Sequence, residues 1–190
     1  MSGVTSPRNT AKRGRLKLAL LGAFFVLPMA ASWMVWWLDL APGTTGNYGT
    51  LLLPRSAALA PLAGLAPVAA LKGKWVLLQF DSGACDAWCE RKLYFMRQVR
   101  RAQGKEMPRV ARLWLLTDGA QPRAELLAAI EGTVVAQAPA GADFPAEKSV
   151  TDHIYLVDPL GNLMMRFPRD ADASRMIKDL KRLLKVSGFG

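Results

Sequence analysis

The longest charge-free stretch of the sequence lies near its start and constrains where the rest of the chain can be. Residues 18–38 form a run of 21 residues without a charged side chain. As a helix this run would be ~31 Å long, about the thickness of the hydrocarbon core of a bilayer. Trp33, Trp36 and Trp37 lie at its C-terminal end, and tryptophan favours the membrane–water interface. The run therefore predicts a single transmembrane helix.

The charges that flank this helix predict its orientation. The residues before it include five basic and no acidic side chains, and Asp39 follows it directly. Because positive charge is retained in the cytoplasm, we expect a cytoplasmic N-terminus and an extracytoplasmic C-terminal domain. A cleaved signal peptide is the alternative, but its apolar core would usually be shorter, ~7–15 residues. The candidate cleavage site at residues 30–32 is also followed by the tryptophan cluster, so an uncleaved anchor is the favoured interpretation.

Composition divides the chain into four segments. We expect a basic cytoplasmic tail at 1–17, the membrane helix at 18–38, a membrane-proximal tether at 39–73 and a folded domain at 74–190. Proline and glycine recur through the tether, and its remaining residues are apolar enough to lie partly against the domain. Beyond the tail the chain has 20 basic and 15 acidic residues. Basic residues that recur along predicted helices are typical of solvated helix faces. Because we expect the domain to lie outside the cytoplasm, nucleic acid is not an expected partner.

From residue 74 onward, segments with strand patterns alternate with segments of helical periodicity. The predicted strands are 74–81, 110–117, 133–137, 154–157 and 163–167, and the predicted helices are 86–103, a helix opened by Pro122, and a closing helix around 176–184. Strands separated by helices indicate parallel crossovers, and the last two strands form an antiparallel hairpin. The sequence thus predicts an α/β domain with a mixed central sheet and flanking helices. A thioredoxin-like fold has this order of elements.

The two cysteines, Cys85 and Cys89, carry the most concentrated chemistry of the sequence. They form a C-x3-C motif directly after the first strand of the domain, where the chain enters a helix. A helix N-terminus stabilises a thiolate, and a spacing of four residues puts both sulfurs on one helical face. Such a pair can form a disulfide or share a soft metal ion such as Cu(I). A thiol–disulfide oxidoreductase usually has C-x2-C instead, and a purely structural disulfide over so short a loop stabilises little.

His153, the single histidine, directly precedes the predicted strand 154–157. A lone histidine is more often a surface or structural residue than a metal ligand. In a thioredoxin-like fold, however, the loop before this strand faces the cysteine turn. His153 is therefore a candidate third ligand beside the two sulfurs, and Asp152 is a candidate to orient its ring.

Together these features resemble the SCO/SenC family of thioredoxin-like copper chaperones for cytochrome c oxidase assembly. The resemblance covers roughly residues 70–185 and depends on the anchor, the C-x3-C motif and Asp152-His153 followed by Ile-Tyr-Leu-Val-Asp-Pro-Leu-Gly-Asn. It implies Cys85, Cys89 and His153 as copper ligands, with Cu(I) or Cu(II) as the metal. It also implies a single-pass protein of the bacterial inner membrane with a periplasmic domain. The implied partner is oxidase subunit II or another copper protein.

The chain departs from the family pattern at two places, which keeps other interpretations open. Asp86, Ala87 and Trp88 stand where the family usually has prolines, and His153 lies nearer the Asp-Pro turn. The main alternative is a membrane-tethered thiol–disulfide oxidoreductase with Cys85 and Cys89 as its catalytic residues. A third interpretation is a membrane protein in which the disulfide only staples a turn.

Overall fold

The computed structural model describes residues 7–38, 46–55, 66–138 and 150–188, and it divides into two compact units, Met1–Gly46 and Asn47–Gly190. In the first unit, helix α1 (Pro7–Trp37) confirms that the apolar run is helical. Within it, Gly14–Val35 is long and apolar enough to cross a membrane, with a mean hydropathy of 2.0 and no buried residues. By length and composition this helix is a candidate transmembrane span.

In the described residues, the second unit is a six-stranded sheet with helices around it. Its strands are β1 (Thr50–Arg55), β2 (Trp75–Asp81), β3 (Val110–Leu116), β4 (Val134–Gln137), β5 (Ile154–Val157) and β6 (Leu163–Arg166). Its α-helices are α2 (Ala66–Ala69), α3 (Ala87–Arg101), α4 (Ala124–Ala129) and α5 (Ala173–Val186), and short 3₁₀ turns cover Gly104–Arg109 and Val150–Asp152. From β2 onward the order of strands and α-helices is the predicted one.

The strands are arranged in the order β1-β6-β5-β2-β3-β4. Strands β2, β3 and β4 are parallel, whereas β5 is antiparallel to β2, and β6 is antiparallel to β5. This arrangement confirms the mixed central sheet. It also brings the end of β2 beside the start of β5, where Gln79 pairs with Ile154.

Strand β1 lies inside the segment 39–73, which the sequence predicts to be a tether. It pairs antiparallel with β6, opposing Thr50 to Arg166. The preceding residues are held by Asp179 of α5, whose carboxylate accepts hydrogen bonds from the backbone N–H groups of Tyr48 and Gly49. A side chain at Gly49 would place its Cβ 2.3 Å from the sulfur of Met165. Part of the segment is therefore an edge strand, and the compact unit begins before residue 74.

Alternation along β2 sends its side chains to two different layers of the core. Val76, Leu78 and Phe80 face the layer that also contains Val68 of α2 and Leu71 just after it. Trp75 and Leu77 face the layer formed by α3 and α5. Helix α4 packs on the same side of the sheet, in a buried cluster that also contains Trp114 of β3. The connections from β2 to β3 and from β3 to β4 run in the same direction across the sheet, and right-handed crossovers of this kind place their helices, α3 and α4, on the same face. The predicted flanking helices therefore lie on both faces of the sheet, although three of the four α-helices in the described part of this unit share one face.

Candidate functional site

Cys85 and Cys89 form a disulfide at the start of α3, with their Cα atoms 5.2 Å apart. Both residues are buried, with exposed fractions of 3% and 0%. Asp86 is the N-cap of the helix, because its carboxylate accepts a hydrogen bond of 2.8 Å from the backbone N–H of Cys89. Cys85 therefore precedes the helix and has a positive φ of 42°. The prediction that both sulfurs share one helical face was wrong in this respect, since the two residues meet across the N-cap.

The turn before Cys85 is held against the loop that follows β3. Asp118 accepts hydrogen bonds from the backbone N–H groups of Gly83 (2.9 Å) and Ala120 (3.1 Å). Hydrogen bonds from the Ser82 side chain and from Gly83 lower the pKa of the Asp118 carboxyl below its usual value. A Cβ at Gly83 would lie only 1.9 Å from the carbonyl oxygen of Ala120. The close approach of the two loops therefore requires glycine at this position.

Arg123, just before α4, contacts the motif from the other side. Its guanidinium donates to the carbonyl oxygen of Cys85 at 3.4 Å and forms an ion pair with Glu90 of α3. The same positive charge thus stands beside the disulfide and beside an acidic side chain in the first turn of α3. The carboxylate of Glu90 therefore neutralises the guanidinium of Arg123 beside the disulfide.

Two buried polar side chains near the disulfide were not identified from the sequence. Gln79 of β2 donates from Nε2 to the sulfur of Cys89 at 3.4 Å. Lys92 of α3 is only 2% exposed and donates to Asp81 at 2.6 Å and to the carbonyl oxygen of Thr151. Two sequence signals could have identified them: a polar residue, Gln79, inside an apolar strand, and a lysine three residues after Cys89.

His153 lies at the same edge of the sheet as the cysteine turn, but its ring contacts other groups. Nδ1 is 2.9 Å from the carbonyl oxygen of Phe167, and the ring meets Tyr155 edge-on at 6.2 Å. Because a carbonyl only accepts, Nδ1 carries the hydrogen, and Nε2 keeps a free lone pair in the neutral ring. Tyr155 packs against Phe80 in the layer opposite to that of Cys89. Asp152 pairs with Arg169 at 3.7 Å, and the contact that orients the ring is the one with Phe167.

No group of three or more His, Cys, Asp or Glu side chains that could hold a metal ion occurs among the described residues. The structure brings Cys85 and Cys89 together as a disulfide, and it gives no contact between His153 and either sulfur. As a disulfide the two sulfurs have no negative charge to offer a metal, so metal binding at this pair requires its reduction.

Trp88, between the two cysteines, is flanked by two cations. The guanidinium of Arg91 lies 5.8 Å from the centre of a Trp88 ring, and that of Arg169 lies at 5.7 Å. Arg169 is also the partner of Asp152, so the tryptophan connects the cysteine motif with the turn that precedes β5. An aromatic ring with cations on its faces is a stable arrangement at a surface.

The hydroxyl of Tyr155 has no hydrogen-bond partner among the described residues, although it is buried. Burial raises the pKa of Tyr155 from 10.0 to about 12, and the negative charge of Asp152 adds to the effect. The neutral phenol is therefore the form that this fold accommodates.

The comparison with known families decides where the chain belongs. A family model described as the transmembrane-like, thioredoxin-like, C-terminal domain matches residues 75–187. The chain belongs to this family. The matched residues begin with β2 and end just after α5, so the thioredoxin-like domain of this family includes the disulfide and His153. No curated protein matches the chain.

Solved structures confirm the resemblance of this thioredoxin-like domain to SCO/SenC proteins at the level of the fold. Yeast Sco1 with copper bound is 16% identical, with a TM-score of 0.53 over 63% of this chain and 83% of that one. Apo Sco1 from Thermus thermophilus is 17% identical, with a TM-score of 0.50 over 74% and 99%. Arabidopsis thaliana ScoI with copper bound is 14% identical, with a TM-score of 0.50 over 63% and 89%.

Proposed function

We propose that this chain is a membrane-anchored, SCO-like copper-binding assembly factor. It delivers copper to a cytochrome c oxidase subunit or maintains the thiols of that subunit. The observation that carries the proposal is the disulfide at the start of α3, because it places two sulfurs within bonding distance at one end of a thioredoxin-like sheet. Yeast Sco1 and the Arabidopsis ScoI, which share the fold, have been solved with copper bound.

The pair must first be reduced, which requires two electrons and two protons from a thiol donor. The two thiolates are then soft ligands at a separation that the turn can adjust, and such ligands favour Cu(I). Around them lie buried side chains of β3, of α4 and of its C-cap, including Trp114, Leu126 and Ile130. Such surroundings limit the access of water and of competing ligands.

We propose His153 as the third copper ligand, acting through Nε2. The hydrogen bond between Nδ1–H and the Phe167 carbonyl supports this role, because ligating imidazoles typically donate their other N–H to such an acceptor. In the disulfide state the ring meets Tyr155 edge-on and contacts neither sulfur, so the proposal requires Nε2 and the sulfurs to approach each other when copper binds.

Helix α1 supplies the membrane anchor in this proposal. The basic tail at 1–17 lies in the cytoplasm, the helix at 18–38 crosses the bacterial inner membrane, and the thioredoxin-like domain lies in the periplasm. A donor and an acceptor tied to one membrane meet at a high effective concentration, so a modest copper affinity suffices for transfer.

The disulfide itself favours a second candidate, a membrane-tethered thiol–disulfide oxidoreductase. In the reduced protein, the thiolate of Cys85 attacks a disulfide of the partner, forms a mixed disulfide and releases one partner thiolate. Cys89 then attacks Cys85, which releases the second partner thiolate and regenerates the Cys85–Cys89 disulfide. Two electrons pass to the partner, and the two released thiolates take up protons from solvent.

Copper titration of the full chain in detergent tests the proposal. The protein is reduced, freed of reductant without oxygen, and titrated with Cu(I) against a coloured chelator. We expect one tightly bound copper per chain, none in the Cys85→Ser, Cys89→Ser variant, and an affinity at least tenfold lower in His153→Ala. A wild-type chain that binds no copper would refute the assembly-factor proposal. Full copper affinity in His153→Ala would refute His153 as the third ligand. Catalytic turnover with a disulfide substrate would favour the oxidoreductase.

A further inference from the structure

Gln79 is the one amide side chain in the buried part of β2, and it lies against the disulfide. The residue is 0% exposed, and Nε2 donates to the sulfur of Cys89 at 3.4 Å. The other end of the amide, Oε1, is buried and has no hydrogen-bond partner among the described residues. A buried amide oxygen without a donor destabilises the state in which it occurs.

The neighbouring strand carries a second unpaired polar group. Trp114 of β3 is the register partner of Gln79, it is fully buried, and its indole N–H also has no partner among the described residues. Cys89 and Trp114 belong to the same buried cluster. In the disulfide state, therefore, an unpaired acceptor and an unpaired donor lie in the layer that contains the sulfur of Cys89.

We infer that Gln79 is a positioning residue that sets the balance between the disulfide and dithiol states of Cys85 and Cys89. This inference rests on the proposed function, in which the pair cycles between the two states. A disulfide sulfur carries no hydrogen, so it cannot satisfy the amide oxygen. After reduction, the S–H of Cys89 is a donor beside Oε1, while its sulfur still accepts from Nε2.

The direction of the effect follows from this difference. The amide makes one hydrogen bond to the disulfide and two to the dithiol, so it stabilises the reduced state more. Gln79 therefore makes the disulfide easier to reduce than it would be beside an apolar side chain of the same size. Lys92 does not supply the missing donor, because its ammonium is bound to Asp81 and Thr151.

The test measures the equilibrium of the pair with dithiothreitol, using the full chain in detergent without copper. In this reaction the Cys85–Cys89 bond is broken and both cysteines become thiols. Dithiothreitol supplies the two electrons and two protons and becomes a cyclic disulfide. The test variant is Gln79→Met, which keeps the side-chain volume and removes the amide. Gln103→Met is the matched control, because Gln103 is 6% exposed, donates from Nε2 to the Val99 carbonyl at 2.7 Å and also has an unpaired Oε1.

We expect Gln79→Met to lower the equilibrium constant for reduction by about threefold to tenfold. The tenfold limit corresponds to a potential that is ~30 mV lower. Gln103→Met should change the constant by less than about twofold, since the hydrogen bonding of the Gln103 amide is the same in both redox states. An unchanged or higher constant in Gln79→Met would overturn the inference. That result is also the one expected if Oε1 and the indole N–H of Trp114 simply bond to each other in both redox states.

A second measurement covers the case in which Gln79→Met does not fold. In the wild-type chain, the side-chain amide of Gln79 should change its NMR chemical shift and exchange more slowly on reduction, while that of Gln103 does not. An amide of Gln79 that is insensitive to reduction would overturn the inference. Neither measurement involves copper or a partner, so a failed copper titration would not contradict the effect of Gln79 on the redox equilibrium. Likewise, an unchanged redox equilibrium in Gln79→Met would not contradict copper binding.

Discussion

Lys92 Nζ lies 2.6 Å from the carboxylate of Asp81, in an ion pair between α3 and the last residue of β2. The same ammonium donates to the carbonyl oxygen of Thr151, in the turn before β5. One buried cation therefore connects the helix that carries Cys89, the strand that leads to Cys85 and the turn that leads to His153. This connection keeps the three proposed ligands of the site at one edge of the sheet.

The first prediction concerns this ion pair. Lys92→Met should lower the free energy of unfolding by about 3 kcal/mol, because it leaves the Asp81 carboxylate without its partner in a largely buried position. Urea unfolding of the oxidised chain measures the change. The double variant Asp81→Asn, Lys92→Met should be more stable than the single one, since no uncompensated charge remains. Equal destabilisation in the two variants would contradict an electrostatic role for the pair.

The second prediction concerns the contact between the cysteine turn and the loop after β3. Gly83→Ala should destabilise the fold by about 2 kcal/mol or more, because the new Cβ would meet the Ala120 carbonyl oxygen at 1.9 Å. Thermal unfolding followed by circular dichroism is a suitable measurement. Gly119→Ala is the matched control in the same region, since a Cβ there meets nothing within 4 Å. Similar melting temperatures for both variants would show that the loops are not in tight contact.

The third prediction concerns the N-cap within the motif. Asp86→Ala should lower stability by about 1 kcal/mol, because the backbone N–H of Cys89 loses its acceptor. Asp86→Ser should recover most of this loss, as a serine hydroxyl can accept the same hydrogen bond. Chemical unfolding of the three proteins distinguishes capping from a charge effect. A serine variant as unstable as the alanine variant would argue that the charge of Asp86 is what matters.

The fourth prediction concerns pH. The pKa of Tyr155 is raised from 10.0 to about 12 in the folded chain, so the unfolded chain loses the phenolic proton first. The stabilisation from the neutral phenol is therefore complete below pH 10 and is lost as the pH rises toward 12. The pKa of Arg112 is lowered by burial to about 10, so this group acts in the opposite direction over the same range. Urea unfolding between pH 9 and pH 12 should therefore show the Tyr155 contribution as the difference between the wild type and Tyr155→Phe, and this difference should decline with rising pH. The control is Tyr94→Phe, because Tyr94 is 56% exposed and its removal should leave the decline unchanged.

Local patterns in the sequence were sufficient to predict the elements of the second unit from β2 to α5. Apolar runs and helical periodicity depend on neighbours within a few residues, so the burial of β2 and the amphipathic face of α5 can be read directly. The proximity of Cys85 and Cys89 belongs to the same class, because four residues of chain leave them little freedom to separate. The apolar helix over 18–38 is likewise a property of composition alone.

Contacts between distant parts of the chain decided the remainder. Strand β1 forms because residues near Thr50 pair with the edge of the sheet at β6. No pattern within the segment 39–73 predicts that pairing. The position of Lys92 between Asp81 and Thr151, and the requirement for glycine beside Ala120, arise only when separate loops meet. The side of the sheet on which His153 rests follows from strand register, where a shift of one residue reverses the face. Sequence thus determined the elements and the paired sulfurs through short-range geometry, whereas long-range packing decided which buried amides, charges and rings surround them.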